Sequence, residues 1–130
     1  MKILTGEELL AATQLPQEAV ELPGLGTVYV RGMTGKQRDE WENSLMRGRG
    51  TARRTDTRNA RARLAVRCLV NAQGDRLYRD EDAERLGNIR VDYLQKIFEA
   101  AQRLSGVSDE DIDELGKFSG SEAGPASSTP

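Results

Sequence analysis

The chain has 130 residues, 37% of them hydrophobic and only 5% aromatic, which suits one domain with a modest core and an appended tail. Charged residues make up 31% and the net charge is −2, with no histidine and a single cysteine. Those counts exclude histidine-based triads and acid–base chemistry, most zinc sites and any intrachain disulfide.

The opening MKILTGEELLAATQ is too acidic and too broken for a secretory signal, and no apolar run reaches the length of a membrane span. Thr5 with Glu8 has capping-box spacing, so a short helix carrying Leu9 and Leu10 is expected to about residue 13, with Pro16 as its stop. In AVELPGLGTVYVRG, Val28 and Val30 alternate with Tyr29 and Arg31, and Pro23, Gly24 and Gly26 supply a bend. That pattern predicts a small hairpin.

Thr34 with Gln37 makes a second capping box. The helix after it carries Trp41 and Leu45 on one face and ends near Gly48. RGRGTARRTDT has no apolar anchor and reads as a mobile basic loop. A third helix is expected from about 56 to 72, with Ala60, Leu64, Ala65, Cys68, Leu69 and Ala72 as its stripe. A turn at Gly74 follows, and Leu77 and Tyr78 return the chain to the core. Asp80 is the expected N-cap of a short acidic helix closed by Gly87. The last long helix spans roughly 90 to 104, with Val91, Leu94, Ile97, Phe98, Ala101 and Leu104 at helical spacing and Gly106 as C-cap. Ser108 with Asp111 opens one more turn, where Ile112 and Leu115 share a face. From residue 119 the composition is that of a tail.

The expected fold is therefore mainly α: a small helical domain with a short N-terminal β-hairpin and a disordered C-terminal tail. The expected divisions are an N-terminal helical segment (1–17), a helical domain with its leading hairpin (18–117) and a flexible tail (118–130).

Charge is unevenly spread. Arg47, Arg49, Arg53, Arg54, Arg58, Arg61, Arg63 and Arg67 crowd the middle, and Asp109, Glu110, Asp111, Asp113 and Glu114 crowd a later segment. The arginines admit three readings: a solvated helix face, a dock for an acidic protein surface, or a track for nucleic-acid phosphates. No aromatic side chain is interleaved with them for base stacking, which weighs against nucleic acid. The acidic segment lacks the ligand alternation and central glycine of an EF-hand, so it is not read as a metal loop. Asp80, Glu81, Asp82 and Glu84 fall in a first helical turn, where acids suit the dipole without catalysis. Cys68 lies on an apolar stripe with no histidine to activate it. No nucleophile–base pair assembles and no cofactor fingerprint stands out, so a binding or assembly protein is favoured over an enzyme.

Several short words in fixed order carry a family likeness. They are Val30-Arg31, then MTGKQRD from Met33, an arginine-bearing helix into Cys68-Leu69-Val70, the turn at Gly74, Leu77-Tyr78, Asp80-Glu81-Asp82, and IFEAAQRLSG from Ile97. Across residues 28–117 the chain resembles the tail assembly chaperones of long-tailed bacteriophages. It departs from them in lacking an acid near the start of the turn at 71–74 and in its arginine density. The resemblance implies a mainly helical, non-enzymatic chaperone without cofactor or metal. Such a protein acts in the host cytoplasm during assembly and is absent from the finished virion. It binds and solubilises the tape measure protein, helps recruit major tail protein, self-associates, and contacts neither membrane nor nucleic acid. Many members also exist as a longer frameshifted form, and residues 119–130 would lie near that junction.

On this reading Trp41, Leu45, Ile112 and Leu115 are the candidate partner-binding residues. Arg53, Arg54, Arg58, Arg61, Asp109, Glu110 and Asp111 are the candidates for self-association or a charged partner. The alternative is a small regulatory or packaging protein that contacts nucleic acid through its arginine-rich helix.

Overall fold

The computed structural model describes residues 1–48, 50–52 and 54–111. Arg53, Ile112, Leu115 and the expected tail at 118–130 lie outside the described residues.

Local sequence explains most element starts. Helix α1 (Gly6–Leu10) and helix α2 (Gly35–Ser44) each begin with a complete capping box, Thr5 with Glu8 and Thr34 with Gln37. Strands β1 (Gln17–Leu22) and β2 (Gly26–Arg31) form an antiparallel hairpin with Val20 opposite Val28. Its turn is closed by Leu25 N–H donating to the Leu22 carbonyl at 2.9 Å, and Gly24 takes the left-handed φ of +81° that the turn requires. After α2 come two two-residue strands, β3 (Met46–Arg47) and β4 (Arg54–Thr55), which pair antiparallel. Helix α3 (Ala60–Cys68) runs straight into strand β5 (Leu69–Val70). A single 3-10 turn at Asp80–Asp82 leads into helix α4 (Ala83–Leu86). Helix α5 (Val91–Ser105) is the longest element and ends at Gly106, left-handed at φ +70°.

The main sheet has the order β1-β2-β5, with Val30 opposite Leu69 and Tyr29 opposite Val70. Helix α5 packs across β1 and β2 and lies beside α3. The core comprises Val20, Leu22 and Val30 from the sheet, Leu64, Ala65 and Cys68 from α3, and Ile97, Phe98 and Ala101 from α5. Trp41 and Leu45 join it from α2 and its C-cap. A bidentate ion pair from Arg103 to Glu18, at 2.7 and 2.9 Å, ties the end of α5 to β1.

The mainly α expectation is corrected. The fold is mixed, 48% helix and 17% strand, with a three-stranded antiparallel sheet and a second two-stranded one. Two stretches account for the difference. Leu69 and Val70 continue the apolar run of α3, so periodicity alone keeps them helical, but a short buried apolar run fits a strand equally well. Leu69 leaves the helix at φ −72° and ψ 124° and pairs with β2, so α3 ends at Cys68 rather than residue 72. The basic loop also carries structure at its base, in β3 and β4, because Asp56 just beyond it gathers arginine side chains.

Smaller departures share a cause in tertiary context. Leu77 and Tyr78 stay exposed rather than rejoining the core. Arg79, not Asp80, starts the short acidic turn, its N–H donating to Asp82 at 2.8 Å. Asp80 instead bridges Arg67 and Arg76, both at 2.9 Å. Among the described residues no helix is long and apolar enough to cross a membrane.

Candidate functional site

The start of α3, the segment at Gly87 and Ile89 that closes α4, and helix α5 line an open groove of about 670 Å³. Leu94 and Phe98 form its floor, at i and i+4 on α5, while Ile89 and the exposed Val91 form a lip. Thr57, Asn59, Ala60 and Gly87 make the opposite wall, and Arg61 and Asp109 supply one cation and one anion. The Arg61 guanidinium lies 5.8 Å from the centre of the Phe98 ring, so it caps the apolar floor instead of standing in water alone.

Asn59 holds the wall together. It is the one non-glycine among the described residues with positive φ, at 55°, a region asparagine tolerates better than most residues. Its side-chain amide donates to the Ala83 carbonyl at 2.7 Å, joining the start of α3 to α4. Gly87 lies directly beneath it, where a Cβ would meet Asn59 Nδ2 at 2.8 Å.

Three arginines of the cluster gather on one buried carboxylate, two of them from the surface. Asp56 is buried and accepts from Arg47 at 2.7 Å and from Arg58 at 3.0 and 3.2 Å, with Arg63 at 3.9 Å. These hydrogen bonds, those of Arg58 foremost, hold the Asp56 carboxyl far below the usual carboxylate range. Arg63 is itself half-sequestered and donates to the main-chain carbonyls of Ser44 and Asp56. Burial lowers the pKa of its guanidinium. Arg67 is committed to Asp80. Arg54, Arg58 and Arg61 stay exposed, and among the described residues Arg54 and Arg61 have no ion-pair partner.

The remaining sequence candidates are scattered. Trp41 and Leu45 are fully buried, and a partner reaches neither without opening the core. The Trp41 indole N–H has no hydrogen-bond partner among the described residues. Arg58 is largely exposed while paired to Asp56. Asp111 caps the turn begun by Ser108, accepting from its N–H at 2.8 Å, and lies 3.4 Å from Arg38. That backbone hydrogen bond lowers the Asp111 pKa. Glu110 is exposed, and Asp109 accepts from Gln102 at 2.9 Å. Of the named candidates among the described residues, Arg61 and Asp109 lie at the groove. Ile89, Asn59 and Gly87 were not singled out as site residues from sequence, and their roles depend on the meeting of α3 with α4, which no local spacing announces.

Among the described residues no group of three or more cysteine, aspartate or glutamate side chains is placed to hold a metal ion. No family model, curated protein or solved structure matches the chain.

Proposed function

We propose that this chain is a tail assembly chaperone that seats amphipathic helical segments of a tape measure protein in the α3–α4–α5 groove and helps bring major tail protein onto them. The observation that carries the reading is the groove itself. Helix-in-groove recognition needs an apolar floor for anchors spaced at i, i+3 or i+4, with polar groups at the rim to fix orientation. Leu94, Phe98, Ile89 and Val91 provide the first, and Arg61 and Asp109 the second. The order of sequence words from Val30 to Gly106 supports the same assignment. Arg63 and Arg67 are mostly covered and committed to Asp56 and Asp80, and no aromatic side chain is interleaved with the exposed arginines for base stacking, which favours a protein client over nucleic acid.

The test is co-expression with the tape measure protein encoded nearby, read as soluble complex by light scattering at low and moderate salt. The expected result is a complex with the wild-type chain and precipitated tape measure protein without it. Val91→Glu should reduce complex formation about tenfold, because it places a charge on an apolar lip. No complex, together with salt-sensitive binding to mixed-sequence DNA or RNA, overturns the reading.

A further inference from the structure

Residues 1–14 are exposed throughout, yet they carry a finished piece of structure. Glu8 N–H donates to Thr5 Oγ1 at 3.1 Å, Thr5 N–H donates to Glu8 at 2.9 Å, and Lys2 reaches the same carboxylate at 2.7 Å. The helix so capped buries none of its residues. Ile3 is 91% exposed and Leu10 73%, with Leu4 and Leu9 more than half exposed. A five-residue helix is far below the length that holds in water unaided. A cluster of large apolar side chains on so short a segment marks a contact surface.

We infer that this N-terminal arm docks in the α3–α4–α5 groove of a second copy of the chain, and that the exchange is reciprocal. Each copy carries one exposed apolar arm and one open groove, and within the single chain the two do not meet. The arm departs beside the far end of α5, where Pro16 packs against Gly32 under Leu104. The groove lies along Val91, Leu94 and Phe98. Lys2 is taken up by Glu8 within the arm, which leaves Glu7 to face the Arg61 cation on the groove rim. Identical copies related by a two-fold axis bury both arms and both grooves in one step, leaving no open end for further growth. The exchange needs no client, but it uses the groove assigned above to the client, so a seated client helix displaces the arm.

The experiment is sedimentation equilibrium of the full chain alone, over a wide concentration range, with two variants and their mixture. Leu9→Gln with Leu10→Gln alters the arm without touching the core. Val91→Glu alters the groove lip at an exposed helix start, where an acid suits the helix dipole and the fold is kept. Wild type should dimerise reversibly, and each variant alone should do so about tenfold or more weakly. Mixed in equal amounts, the two should associate more tightly than either alone, because the mixed pair keeps one intact contact while its other contact, already lost to one substitution, loses little more to the second. A wild-type chain that stays monomeric at all concentrations overturns the inference. So does self-association that neither variant weakens, or weakened variants whose mixture recovers nothing. Tape measure protein is absent from this experiment, so its outcome and that of the chaperone test are read separately.

Discussion

Gly32 lies against the carbonyl of Leu104 so closely that a Cβ at position 32 would stand 3.1 Å from the Leu104 carbonyl carbon and 3.4 Å from Pro16 Cγ. The end of β2 and the last turn of α5 therefore approach backbone to backbone, with no side chain between them. Both obstructing groups at Leu104 are main chain, so they yield only by moving the helix. Gly32→Ala should cost about 1–3 kcal/mol through overpacking. Urea unfolding checks this: the midpoint should fall with an unchanged slope, and an unchanged midpoint would show that α5 shifts freely.

Asp56 organises the start of α3. Its N–H donates to the Leu45 carbonyl at 2.5 Å and its carboxylate accepts from the Arg58 N–H at 3.1 Å, in addition to the arginine side chains. Asp56→Ala should destabilise by about 2 kcal/mol, less than a fully buried ion network because Arg47 and Arg58 are well exposed. Arg58→Ala alone should cost under about 1 kcal/mol, since the guanidinium is 83% exposed.

The same carboxylate sets an acid limb. Its folded pKa lies below its unfolded value of about 3.9, so its contribution is fully present above that value. The contribution is lost as pH falls through the folded value. Between about pH 5 and pH 2 the stability of wild type should therefore drop more steeply than that of Asp56→Asn. Equal slopes in the two proteins would remove Asp56 from the acid response.

The sequence made some of this legible and hid the rest for identifiable reasons. Capping boxes at Thr5 and Thr34, the hairpin at Pro23–Gly24, the stripe of α5 and the C-cap at Gly106 depend on local chemistry, and each was expected. Leu69 and Val70 were placed in a helix because their strand state exists only through pairing with Tyr29 and Val30, distant in sequence. Arg47 and Arg58 do stay at the surface, but Arg63 is mostly covered, and nothing local shows that one aspartate gathers all three. Val91 looked like core by spacing, yet it opens α5 where no element covers it, and its exposure makes it a lip of the groove.

Cys68 should be chemically silent. It is buried between α3 and α5, with Sγ 3.6 Å from the Ser105 hydroxyl, and burial pushes its thiol pKa up. The thiolate is the reactive species, so a raised pKa and a closed core both slow alkylation. Reaction with a maleimide at neutral pH should follow the opening of the fold and accelerate in denaturant to the rate of a free thiol. Rapid labelling under native conditions would mean that the α3–α5 contact opens readily.

Asn59 links stability to the groove, and two substitutions separate its roles. Asn59→Gly keeps the left-handed backbone but removes the hydrogen bond to Ala83, and should cost about 1 kcal/mol. Asn59→Ala loses that bond and places in the left-handed region a residue that lacks asparagine's tolerance of it, for a total of about 2 kcal/mol. Gly87→Ala attacks the contact from the other side, since its methyl group would collide with the Asn59 amide and push it off the Ala83 carbonyl. The expected order of urea midpoints is wild type, Asn59→Gly, then Asn59→Ala. Combining Gly87→Ala with Asn59→Gly should cost less than the sum of the two, because the glycine leaves nothing for the new methyl to strike. Additive costs would mean that the Gly87 wall and the Asn59 hydrogen bond act independently, and that the groove wall is not held by this pair.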